Sequence, residues 1–193
     1  MKRKLLPLLL MLATGVASAQ TAPEAAPAAP EVVAAVDFAD TAFVLICSAL
    51  VLLMTPALAF FYGGLSRSKS VLNTMMMSFT AIGVITIVWV VAGYSIAFGD
   101  EPMGAYFGSF QNVMLAGIDK DSTATTFNAA HLIPKYVFVM FQATFAIIAA
   151  ALISGALVDR MKFGAYIVFI ALWSVLVYAP VAHWVWDASG WLF

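Results

Sequence analysis

Apolar side chains fill four stretches of this chain, and charged residues gather between them. The stretches run Asp40–Leu65, Val71–Phe98, Lys135–Leu157 and Gly164–Trp186. Each is long enough to cross a hydrocarbon core of ~30 Å at ~1.5 Å of rise per residue. The pattern therefore predicts four transmembrane helices and an all-α integral membrane protein. A shorter apolar run, Leu5–Leu12, precedes them and follows Lys2, Arg3 and Lys4.

Composition agrees with the helices, since 64% of the residues are hydrophobic and only 10% are charged. A soluble chain of this size needs more charge to cover its surface. The basic start, the short apolar run and Ala17-Ser18-Ala19 before Gln20 read as a secretory signal over residues 1–19, with an uncleaved signal anchor as the competing reading. Removal takes away three positive charges and moves the net charge from −1 to −4. Residues 20–39, rich in Ala and Pro over Gln20–Ala34, show no periodicity and are expected to form an exported tether. No basic patch exists to hold nucleic acid.

Charge also sets orientation. The first interhelical loop carries Arg67 and Lys69, and the third carries Arg160 and Lys162 beside Asp159. The second, about Gly99–Pro134, carries Asp100, Glu101, Asp119 and Asp121 with Lys120, and Lys135 follows it. Loops one and three share a side and are the basic ones, so the positive-inside rule places them in the cytoplasm. The start of the first span then lies outside, as an exported N-terminus requires. The expected location is the cell inner (plasma) membrane.

The spans carry little conventional chemistry. Cys47 stands alone within the first span and is read as a small packing residue. Pro56 frees backbone groups that neighbouring helices must help to satisfy, and Ala57, Ala59 and Gly63 allow close helix approach, as do Ala149–Ala151, Ser154 and Gly155. His183 is the one clear ionisable group near a span, read first as a hydrogen-bonded interfacial histidine and second as a substrate or proton site. His131 falls in the second loop and is expected to be solvated. No His/Cys/Glu cluster has metal spacing, no phosphate loop is present, and no nucleophile–base pair can be drawn, which disfavours an enzyme.

What remains is aromatic. Phe138, Phe141 and Phe145 share one face of the third helix, with Gln142 and Thr144 beside them. His183, Trp184 and Trp186 close the fourth span, followed by Asp187 and Trp191. Core packing and an interfacial tryptophan belt explain this set as well as function does. The functional reading is an external cation station, in which ring faces attract a small cation and phenyl rings below it form a hydrophobic gate.

Several segments resemble one family. Met54-Thr55-Pro56-Ala57-Leu58-Ala59-Phe60-Phe61-Tyr62-Gly63-Gly64-Leu65 is similar to the first-helix signature of the ammonium transporter family (Amt/Mep/Rh). Ser66–Leu72 through Trp89 and Gly93–Gly99 resembles its second helix. Phe141-Gln142-Ala143-Thr144-Phe145-Ala146 with Ser154–Arg160 resembles its third, and Tyr178–Trp186 the end of its fourth. The resemblance covers about Asp40–Phe193, in order.

It implies an eleven-helix inverted-repeat fold, assembled as a trimer with one pore per subunit, of which residues 40–193 are the N-terminal part. The resemblance stops before the helices that carry the two pore histidines, so a truncated protein is expected. His183 does not match either position, and Asp187 does not match the family's structural aspartate. By motif position, Trp186 lines an outer ammonium recruitment site, Phe145 is a wall of that site and its phenyl gate, and Phe141 is a supporting aromatic. The implied activity of the intact protein is ammonium/ammonia transport: ammonium or methylammonium is captured outside, loses its proton near the gate, and crosses as the neutral species. No cofactor is implied. The implied partners are the substrate, the lipid bilayer, two further subunits of a homotrimer and a cytoplasmic regulatory protein. An ammonium sensor of the same family and a four-helix membrane assembly subunit remain as alternatives.

Overall fold

A computed structural model describes residues 35–100, 102–125 and 131–193. The expected signal peptide and residues 20–34 of the expected tether lie outside the described residues. Among the described residues, four helices are long and apolar enough to cross a membrane: α1 (Phe38–Leu65), α2 (Val71–Phe98), α3 (Lys135–Leu157) and α4 (Phe163–Trp186). Their bounds follow the apolar runs to within two residues.

The difference at α1 has a local cause. Asp37 caps the helix: its Oδ1 accepts from the Ala39 N–H at 2.8 Å and the Asp40 N–H at 3.0 Å. An aspartate here satisfies donors that the first turn leaves without partners. The Asp37 N–H in turn donates to the Leu132 carbonyl at 2.8 Å, and Val36 bridges Leu132. The last residues of the expected tether are therefore built into the fold. The second loop also differs from a plain connection. It contains a short antiparallel pair, β1 (Thr123–Thr125) and β2 (Leu132–Pro134), with Ala124 opposite Ile133.

α3 packs against α1 and α2 through small residues and hydrogen bonds, those to α2 buried. Gly155 is where the Tyr62 ring lies: an added Cβ would sit 2.5 Å from its Cζ. That closeness lets the Tyr62 hydroxyl donate to the Leu152 carbonyl at 3.2 Å. Ser78 and Ser154 pair across α2 and α3 at 3.2 Å. The Trp89 indole N–H donates to the Val139 carbonyl at 3.2 Å. From α4, the Tyr166 hydroxyl donates to the Ala150 carbonyl at 3.4 Å. In a bilayer, where helix association gains little from apolar burial, small residues and such bonds set which faces meet.

α2 and α4 are not uniform α-helices. Trp89–Gly93 in α2 and Ser174–Tyr178 in α4 are π turns. The two insertions touch, with the Trp89 and Tyr178 rings 6.2 Å apart and edge to face. Beyond them the helices converge on His183. This residue is fully buried, with the Ala97 carbonyl 3.0 Å from Nδ1 and the Gly104 carbonyl 3.2 Å from Nε2. It is hydrogen-bonded as read from sequence, but it joins α4 to the end of α2 and to the second loop instead of resting at an interface.

The two ends of the bundle have different chemistry. The first and third loops meet: Asp159 accepts from the Ser70 hydroxyl and lies 4.0 Å from Arg67 Nε. At the other end Lys135 Nζ donates to both carboxylate oxygens of Asp100, at 2.7 and 2.8 Å. Between the ends the helices present large exposed apolar side chains, among them Leu50, Phe60, Ile87, Leu172 and Leu176. In water such a surface would aggregate. Lipid or further protein surface matches it.

Candidate functional site

At the end that carries Asp100 and Lys135, the helix termini and the β1–β2 pair enclose a vestibule of about 1100 Å³. α3 supplies Phe138, Phe141, Gln142 and Phe145; α4 supplies Val185 and Trp186. The spacing of three and four in Phe138, Phe141 and Phe145 places them on the face of α3 that looks into this space.

The sequence-selected residues come together. The Phe141 and Phe145 rings are 5.0 Å apart at 81°, and the Phe145 and Trp186 rings are 5.7 Å apart at 70°. Both are edge-to-face contacts of the kind that ring quadrupoles favour. Phe141 and Phe145 are partly buried, whereas Trp186 is 45% exposed. One side of the indole therefore rests against Phe145 while much of its surface remains open. Phe138 turns instead to Phe98, 5.2 Å away at 83°.

Residues that sequence reasoning passed over complete the wall. Tyr94 and Phe98 arrive from the end of α2, and Asp40 and Cys47 from α1. Cys47 thus faces the vestibule in addition to packing. Among the described lining residues, carboxylates are in excess: Asp40, Asp100 and Asp187 stand against Lys135. Lys135 is engaged by Asp100, so the local balance favours cations. Asp187 lies 3.8 Å from His183 Nδ1 and accepts from the Ser189 backbone N–H at 2.9 Å. Periodicity could not find Asp40 or Asp187, because each belongs to a helix terminus that only the tertiary fold brings here.

His131 departs from expectation. It is not simply solvated: Nδ1 lies 3.2 Å from Asp37 Oδ2 and 3.2 Å from Asp40 Oδ2. The backbone N–H of Asp40, and next the His131 hydrogen bond, hold the Asp37 carboxyl below the ordinary aspartate range. A second carboxyl of this end, Asp119, is held low chiefly by the Ser122 hydroxyl and then by the Asp121 N–H.

Arranged this way, the vestibule can attract a small cation by carboxylate charge and by ring faces while water still reaches it. Comparison with known proteins places the chain among membrane transporters. An ammonium transporter of Mycobacterium bovis is 51% identical over 165 residues, covering 80% of this chain and 34% of that protein. One from Aquifex aeolicus is 51% identical over 157 residues, covering 81% of this chain and 36% of that protein. Among solved structures, Candida albicans Mep2 superimposes with a TM-score of 0.70 at 31% identity, over 81% of this chain and 33% of Mep2. The chain thus spans about a third of the length of the curated relatives it matches. The family model covers residues 42–193, which take in α2 to α4, all but the first turn of α1 and the aromatic residues of the vestibule, and the chain belongs to the Ammonium Transporter Family.

Proposed function

We propose that this chain supplies the outer recruitment site of a protein that carries ammonium or methylammonium across a membrane. The observation that supports this reading best is the contiguous Phe141–Phe145–Trp186 ring set in a vestibule edged by carboxylates. Trp186 offers its open face to the cation, Phe145 forms a wall and closes the way below, and Phe141 supports Phe145. A bare cation at the bilayer centre costs several kcal/mol or more. Loss of a proton near Phe145 lowers that barrier, because the neutral species enters an apolar path.

The same reading includes a homotrimer in the inner (plasma) membrane, with the vestibule and the mature N-terminus outside and residues 1–19 removed as a signal peptide. Loops one and three, with Arg67, Lys69, Arg160 and Lys162, meet at the opposite end, in keeping with this orientation. The test is uptake of labelled methylammonium by cells making the full-length protein. Uptake above background that unlabelled ammonium suppresses is expected. Correct insertion without uptake would overturn transport, and retained ammonium binding in that case would mark a sensor.

A further inference from the structure

We propose that Asp37, Asp40 and His131 form a binding site for a divalent first-row transition cation such as Zn²⁺. Each residue offers one ligand atom, and the three atoms lie within 4.8 Å of one another. The imidazole Nδ1 is 3.2 Å from each of the two carboxylate oxygens. A tetrahedral Zn²⁺ bound at ~2.0–2.2 Å sets neighbouring ligand atoms ~3.3–3.5 Å apart. A cation can seat among these three once the two carboxylate oxygens, which lie within 4.8 Å of each other, turn inward by up to about an ångström.

The cluster is assembled by the fold, with His131 and Asp37 94 residues apart in sequence. The Asp37 N–H bond to the Leu132 carbonyl fixes the backbone next to His131. Asp37 Oδ1 is already occupied by the Ala39 and Asp40 N–H groups, which orients the carboxylate and leaves Oδ2 toward the histidine. Such outer support is what aligns ligands in metal sites. Two carboxylates balance a double positive charge. The nitrogen donor selects against Mg²⁺ and Ca²⁺, which take oxygen. All three residues are half-buried, so water can complete the coordination. Asp40 also lines the vestibule, which places the cation at its rim. The site stands whether or not the protein conducts ammonium.

Isothermal titration of the tag-free full chain in lipid nanodiscs with Zn²⁺ tests this, with Co²⁺ as a spectroscopic probe. One Zn²⁺ per chain is expected, with a visible Co²⁺ band and no displacement by millimolar Mg²⁺. His131→Ala and Asp40→Asn should each weaken Zn²⁺ binding by about tenfold or more. Asp37→Asn keeps the helix cap, so it should lose affinity while helicity by circular dichroism stays at the parent value. Equal Zn²⁺ affinity in the parent and in both His131→Ala and Asp37→Asn would overturn the proposal. So would displacement by millimolar Mg²⁺, or no binding by a parent chain of normal helicity.

Discussion

Replacing Trp186 by leucine in the full-length protein separates a cation site from a structural anchor. The substitution keeps an apolar side chain of moderate bulk but removes the ring face. The indole is 45% exposed and makes one edge-to-face contact, with Phe145 at 5.7 Å. A cation on its open side remains partly hydrated, which places the lost attraction at ~0.5–1 kcal/mol, the lower part of the range for such contacts. That corresponds to an apparent affinity weaker by about two- to fivefold. Initial rates of labelled methylammonium uptake across a concentration series read this directly, with protein in the membrane fraction matched by immunoblot. The deficit should be full at limiting substrate and vanish at saturation, and Trp186→Phe should recover part of it. A Trp186→Leu protein equal to the parent at limiting substrate would refute the argument and leave Trp186 as an interfacial anchor. A constant deficit at all concentrations would also refute it, since capture alone cannot lower the saturated rate.

Phe145→Ala removes two ring contacts and a wall at once, so it should impair methylammonium uptake or admit K⁺ as well; parallel isotope uptake and K⁺ current measurements that match the parent would count against a gate. Gly155→Ala sets a Cβ 2.5 Å from Tyr62 Cζ and must push the ring off α3. It should destabilise the bundle by ~1–3 kcal/mol, and thermal unfolding in detergent at the parent temperature would show that the packing is looser than described. Ser122→Ala removes the largest influence holding Asp119 low, so its titration by carbonyl NMR should move up toward the ordinary aspartate range. Because the folded value is lowered, the turn's stabilisation is complete above the ordinary value and fades as pH falls through the lowered one. The parent turn should therefore loosen on acidification and the variant should show a weaker pH dependence in that range; identical titrations would refute the contact.

The helices were legible because each span must satisfy its own backbone inside lipid, and that requirement writes a continuous apolar run. Asp37 moved the first boundary because a cap depends on one side chain and not on the run. Phe141 and Phe145 were legible by spacing, since one helix turn brings them together. Their meeting with Trp186 was suggested by resemblance alone, because it is a contact between helices. His131, read as solvated and in fact 45% exposed, was incompletely read for the same reason: its carboxylate partners lie at the start of α1, and only the β2 backbone carries it there. Asp40 illustrates the limit most clearly, since it sits at the start of an apolar run yet borders both the vestibule and the histidine.

The π turn at Ser174–Tyr178 has a consequence for how α4 tolerates change. A π turn spends about one residue more than an α turn, and each α-helical residue advances the helix by ~100°. The segment beyond it, with His183 and Trp186, is therefore out of phase with Trp173 and earlier residues by about one position. A helical wheel drawn through the whole span would aim the indole away from Phe145. Deleting one residue within Ser174–Tyr178 would let the turn close as ordinary helix and keep both flanks aimed as they are. Deleting one residue on either side would swing the aromatic end off the vestibule. α4 thus carries its own slack at one place, and a one-residue shortening can be absorbed there without turning the site.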